Sequence, residues 1–289
     1  MKLSKFAPAL FVLFWSTGFI GAKFGLPYAD PLIFLAVRVL FAAIILLLVA
    51  NILKLPLVRD RSSILISAMI GFFLHACYLG GVFFAISKGL PASVAAVVTS
   101  LQPILVSILA MGLLKERITF RQVIAMFIGL IGVLLVLAPS VSAAIGFSAF
   151  VGIFVALIGS TVATLLQKKF GSDIPLIAGS AYQYIFSGIF LAFLAFVTGE
   201  RHIQWSKEFI FAFFWLVLVL SVGAILILLW LIKHSTVASV SSLLYLVPPA
   251  TAVEAYLIFG EKINTQGAIG IALCALGVWL VIKSSVKFL

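Results

Sequence analysis

Apolar runs of about twenty residues, each ended by a charge or a Pro/Gly break, follow one another along the whole chain. Crossing about 30 Å of hydrocarbon at 1.5 Å per residue takes roughly 18 or more apolar residues in a helix. No water reaches the backbone at that depth, so each segment must satisfy its own N–H and C=O groups. Reading from break to break predicts ten spans: 6–22, 31–53, 63–86, 92–114, 121–139, 147–166, 175–198, 209–231, 237–259 and 266–283. The sixth has the softest start, because Ala143, Gly146, Ser148 and Gly152 crowd its beginning. Composition agrees: 64% hydrophobic residues, 9% charged ones and a mean hydropathy of +1.33 exclude an ordinary soluble domain. The first run, Phe6 to Gly21, lacks a following cleavage site and polar sequence, so it is expected to stay as a helix rather than act as a signal peptide. The predicted fold class is an all-α integral membrane protein with ten transmembrane helices.

A second constraint is internal. Shifting the sequence by 145 residues without a gap lays Lys88 on Lys233, Leu101 on Leu246, Pro103 on Pro248 and Glu116 on Glu261. Ile118, Ile124, Gly132, Val133, Leu135 and Val136 also meet identical residues. A Val on a Val means little in so apolar a chain. A proline followed thirteen residues later by an acid–base pair, twice in register, marks a duplication. The expected domains are two five-helix repeats, 1–139 and 140–289.

Lysines and arginines orient the repeats. With a cytoplasmic N-terminus, thirteen cations fall inside: Lys2, Lys5, Lys54, Arg59, Arg61, Lys115, Arg117, Arg121, Lys168, Lys169, Lys233, Lys283 and Lys287. Only five fall outside, Lys23, Lys88, Arg201, Lys207 and Lys262, so both termini are expected in the cytoplasm. Five is odd, so the second copy enters the membrane upside down. Inverted halves are typical of secondary transporters, where exchanging the halves' conformations turns an outward-open state into an inward-open one.

Other function classes find little support. The net charge of +11 punctuates apolar runs instead of forming a basic stripe, so the lipid bilayer and not nucleic acid is the expected partner. Cys77 and Cys274 lie deep in apolar runs without CxxC spacing and read as small packing residues; no metal or cofactor is expected. No GxxxxGK[ST] loop is present to hydrolyse ATP. A passive channel would want charge rings or a carbonyl filter. A membrane-embedded enzyme would want clustered His, Asp and Glu, whereas His75, His202 and His234 stand scattered. A non-enzymatic carrier with a small-molecule substrate is expected, its oligomeric state open between monomer and homodimer.

Trp15 to Pro27, Asp30-Pro31 leading to Arg38, Ala92-Ser-Val-Ala, Gln102-Pro103, Glu116-Arg117, Pro248-Pro249, Glu254-Ala255 and Gly260-Glu261-Lys262 follow one another along the chain. In this order they resemble the drug/metabolite transporter superfamily, in particular its bacterial EamA-type members. The resemblance covers nearly the whole chain and rests on the order of these motifs. It implies a central cavity surrounded by helices 1–4 and 6–9, with helices 5 and 10 at the periphery. It also implies location in a bacterial inner membrane and export of amino acids or similar metabolites, a drug or other organic solute being the alternative.

Ionisable or polar residues inside spans are costly and are functional candidates by default. Arg38 suits a carboxylate, or else snorkels or fixes carbonyls of a neighbouring helix. His75, with Tyr78 on the same face, suits a proton relay, a substrate donor or an ordinary interhelical bond. Glu254 is the one acid well inside an apolar run, a coupling candidate able to take up and release a proton unless Arg38 or Lys23 pairs with it. Glu116 and Glu261 are read as structural helix-end residues, with Thr119 and Asn264 matching nearby. Pro103, Pro248 and Pro249 interrupt two corresponding helices and mark bending points beside the binding region. Gln102 and Tyr245 flank those breaks; Trp15, Tyr78 and Trp230 are aromatic candidates for the cavity wall, although interfacial belts use the same residues.

Overall fold

The computed structural model describes residues 3–90, 92–114, 118–137, 146–259 and 264–284. Every regular element among them is helical, and the one β contact is an isolated bridge between Ala29 and Ile203. In chain order the helices are α1 (Leu3–Gly25), α2 (Pro31–Ile52), α3 (Arg61–Ser87), α4 (Ala92–Thr99 and Gln102–Leu113) and α5 (Phe120–Leu137). Then come α6 (Phe147–Phe170), α7 (Leu176–Thr198), α8 (Lys207–His234), α9 (Val237–Ser242, Leu243–Leu246 and Val247–Phe259) and α10 (Thr265–Ser284). Six of them, α1, α2, α3, α6, α7 and α8, are long and apolar enough to cross a bilayer; the other four contribute shorter apolar helices.

Helix starts follow local chemistry. Asp30 precedes a proline at the first position of α2, where its missing N–H is no loss. Asp60 caps α3 by accepting from Ser63 N at 2.8 Å, which holds its carboxyl below the usual range. At the starts of α5 and α10, Thr119 Oγ1 accepts from Gln122 N and Asn264 Oδ1 accepts from Gly267 N. Glu116 and Glu261 lie outside the described residues.

The 145-residue shift reaches further than the identities that first reveal it. α4 turns out of α-geometry at Ser100–Leu101, just before Gln102-Pro103. α9 tightens to a 3-10 turn at Leu243–Leu246, just before Val247-Pro248-Pro249. Two wider π-helical turns, Phe72–Leu79 in α3 and Leu216–Ala224 in α8, also coincide, Leu79 falling on Ala224. Nothing in the sequence announced these turns.

Where α5 crosses α10 the contact is reciprocal. A Cβ on Gly132 would lie 2.6 Å from Cys274 N and 2.7 Å from Gly270 O, and one on Gly277 would lie 2.7 Å from Gly129 N and 2.8 Å from Ala125 O. Each member of one set is the 145-residue partner of a member of the other. The Cys274 thiol completes the crossing by donating to the Gly129 carbonyl at 3.6 Å. A surface meeting its own copy in this way is an isologous contact, produced by a two-fold axis.

Connections gather at two ends. At one end the α1–α2 and α7–α8 connections zip together: His202 N donates to Asp30 Oδ2 at 2.9 Å, Asp30 N to His202 O at 3.0 Å and Gln204 N to Tyr28 O at 2.7 Å. At the other end Lys168 Nζ donates to Ile232 O and Ser235 O at 3.1 and 2.7 Å, and Val58 packs with Ile174 and Ala178.

Candidate functional site

Two adjoining cavities open where α1 and α3 meet the broken helices. The first is lined by α1, α3, α4, α6, α8 and α9 and the second by α1, α2, α3 and α8; they share Trp15, Phe19 and Tyr78 as a common wall. Each leaves about 30 Å³ for the centre of a water-sized sphere.

The first cavity sits on the two-fold relation. Four pairs of its lining residues are 145-residue partners: Trp15 with Ser160, Phe19 with Thr164, Thr99 with Leu244, and Gln102 with Val247. In every pair one member is polar and the other apolar. Thr99, Gln102, Ser160 and Thr164 come from α4 and α6, while Trp15, Phe19, Leu244 and Val247 come from α1 and α9. The cavity therefore has one polar wall and one apolar wall.

The break in α4 organises the polar wall. Thr99 and Ser100 turn their hydroxyls back on the Ala95 and Ala96 carbonyls at 2.9 and 2.6 Å, covering acceptors near the interruption. Gln102 Nε2 donates to Thr164 Oγ1 at 2.9 Å and to Ser160 O at 3.3 Å. Gln102 Oε1 is buried beside them without a hydrogen-bond partner among the described residues. An amide acceptor left unmatched against a cavity is a place for a donor from a solute.

The expected site residues separate into groups. Trp15 and Tyr78 come together, the indole N–H donating to the Tyr78 hydroxyl at 3.2 Å with rings stacked 6.1 Å apart. Arg38 lines the second cavity, 3% exposed, with its Nε–H donating to Ser221 Oγ at 2.9 Å. His75 lies in the α3–α7 contact instead, its ring 4.4 Å from that of Tyr184 and its side chain beside that of Gln183. Tyr245 packs against Gly129 of α5, its hydroxyl buried without a hydrogen-bond partner among the described residues. Trp230 stacks 4.6 Å from His234. Pro103 and Pro248 each enter the first turn after a break, with Pro249 next to the latter.

Glu254 faces α1, where Ser16 Oγ lies 2.5 Å from Glu254 Oε1 and 2.9 Å from Leu13 O; among the described residues Glu254 Oε2 is buried without a partner. Arg38 bonds to Ser221 and not to this carboxyl.

Sequence reasoning missed Ser160, Thr164, Gln167 and Ser221. Attention to ionisable residues hid a readable sign: Ser160, Thr164 and Gln167 recur at i, i+4 and i+7, one stripe of α6. Ser221 had no such sign, because its place depends on the widened turn in α8.

Comparison with known proteins adds the family. The model of the EamA-like transporter family matches residues 6–138 and again 147–283. A protein named uncharacterized transporter YvbV, from Bacillus subtilis strain 168, is 29% identical over 223 residues, 74% of this chain and 70% of that one. An uncharacterized transporter from Archaeoglobus fulgidus is 28% identical over 166 residues, 57% of this chain and 56% of that protein. A solved crystal structure superposes with a TM-score of 0.81 over 99% of both chains at 17% identity, a likeness of fold.

Proposed function

This chain belongs to the EamA-like transporter family of the drug/metabolite transporter superfamily, and from that premise we propose that it is a secondary carrier working by alternating access. Its two halves are read as inverted five-helix units, ten spans in all, in a bacterial inner membrane with both termini in the cytoplasm. What supports this most is the first cavity, built from residue pairs that the 145-residue shift exchanges. A cavity on such an axis faces either side equally when the halves trade conformations. Small metabolites, amino acids first among them, suit a chamber with a hydrogen-bonding wall and an aromatic-aliphatic wall, and export is their expected direction. Lipid is the surrounding partner.

Glu254 is the coupling residue in this reading. One Ser16 hydroxyl proton cannot serve both Leu13 O and Glu254 Oε1. A protonated Glu254 donates to Ser16, which then donates to Leu13, and both short contacts are used. Proton loss leaves the carboxylate competing with Leu13 for that hydroxyl, which changes how α1 is tied to α9.

The test is counterflow in proteoliposomes over a panel of amino acids, with and without a pH gradient. Saturable exchange is expected, and Glu254→Gln is expected to keep exchange while abolishing accumulation driven by the gradient. Non-saturating current indicates a channel. Failure of every amino acid under both conditions removes the amino-acid assignment.

A further inference from the structure

Arg38 is a buried cation without an acid. Its titratable neighbours are Tyr78 and His75 on α3 and Tyr184 on α7, and among the described residues no carboxylate pairs with it. A guanidinium inside a spanning helix is costly, so it persists where something matches it. Tying helices together does not require the charge. The 145-residue partner of Arg38 is Gln183, which joins α7 to α6 by donating to Gln167 Oε1 at 3.1 Å.

The cavity beside Arg38 has the character of a subsite. Trp15, Phe19, Val82, Phe83 and Leu220 supply an apolar and aromatic wall, and among the described residues no acidic side chain borders it. The guanidinium carbon sits 5.9 Å from the centre of the Phe83 ring. Ser221, presented by the widened turn of α8, takes the Nε–H and so fixes the orientation of the guanidinium.

We infer that the Arg38 cavity is a carboxylate-binding subsite, and that the transported solutes carry a carboxylate on an apolar body while organic cations are excluded. This inference rests on the carrier reading of the adjoining cavity. A guanidinium fork meets a carboxylate with two parallel N–H bonds, and a dry aromatic surround strengthens them. A cation entering the same space meets a fixed positive charge that no acid offsets.

The test is thermal stabilisation of the purified, detergent-solubilised protein by a matched series: phenylacetate, phenylacetamide, benzylammonium and L-phenylalanine. Stabilisation reports binding to the folded state. The two carboxylates are expected to half-saturate at roughly 10- to 100-fold lower concentration than the amide, the worth of a charged hydrogen-bonded pair, with no effect of benzylammonium. Equal binding of acid and amide, tighter binding of the cation, or no stabilisation by either carboxylate overturns the inference. This wild-type series needs no variant.

Arg38→Gln, which installs the residue found at the partner position, is expected to erase the acid-to-amide ratio, and Arg38→Lys to leave an intermediate one. A purely structural Arg38 predicts a lower melting temperature with the ratio kept, and that result also overturns the inference. Counterflow separates the two readings. Carboxylate-selective binding with no exchange of any solute sinks the carrier and leaves the subsite. Exchange of amides and cations as fast as acids sinks the subsite and leaves the carrier.

Discussion

The α3–α6 contact and the α1–α8 contact stand at equivalent places in the two halves, yet they are built from different materials. Between α3 and α6 backbone atoms come close on both sides, next to the Cys77 and Phe84 side chains. A Cβ on Gly81 would lie 2.3 Å from Gly152 O, and one on Gly159 would lie 2.8 Å from Phe73 O and 2.9 Å from Tyr78 N. Between α1 and α8 the glycines meet leucine side chains: a Cβ on Gly21 would lie 2.6 Å from Leu216 Cδ2 and one on Gly18 3.2 Å from Leu220 Cδ1. Even the pair Gly159 and Tyr78 has its counterpart in Phe14 and Gly223, with the large and small residues exchanged between the helices. A backbone contact cannot yield without parting the helices, whereas a leucine can rotate. One seam is fixed and the other compliant, so the chain breaks its own symmetry where motion between halves would be needed.

Substitutions in these seams should rank accordingly. Gly159→Leu is expected to be the most damaging, costing about 3 kcal/mol or more because the overpacked atoms are main chain, and read as loss of monodisperse protein. Gly132→Val and Gly277→Val should follow, each lowering the melting temperature by a similar amount because their surroundings are reciprocal; unequal losses would break the two-fold description. Gly18→Ala should be mild, about 1 kcal/mol or less, since Leu220 can move. Comparable damage from Gly18→Ala and Gly81→Ala would erase the distinction between the seams.

The helix starts sharpen the contrast by pH. Asp60 caps α3 and Ser206 caps α8, so only the first cap titrates. Its carboxyl is held below the usual range by Ser63, so its contribution is present above that range and lost as pH falls through the folded value. The expected effect is the smallest of the set: Asp60→Asn should remove a slight acid sensitivity in melting temperature, and Ser206→Ala should not.

Much of this architecture was legible in the sequence because lipid allows few choices. Helix positions followed from apolar length, and the breaks in α4 and α9 followed from Pro103 and Pro248-Pro249. The duplication was visible only where identities survived, from Lys88 onward in the first half. The earlier pairs, Trp15 with Ser160 and Phe19 with Thr164, share no chemistry; only their common cavity reveals them. The site was harder for the same reason. His75 and Tyr245 are polar and deep, as a cavity residue should be, but helix rotation turns them into neighbouring helices. Rotation is set by small-residue crossings such as Gly71 against the Gln183 carbonyl, and no single-helix pattern encodes those.

Alternating access is the claim on which the account turns, and the paired connections at one end offer a direct hold on it. Ala29 and Ile203 face each other in a bridge, close enough for a disulfide. Proteoliposome counterflow should be measured for Ala29→Cys/Ile203→Cys under oxidation and again after reduction, with each single variant as control. The account predicts that locking this end closed stops exchange and that reduction restores it. Exchange continuing at full rate with the disulfide formed would contradict it.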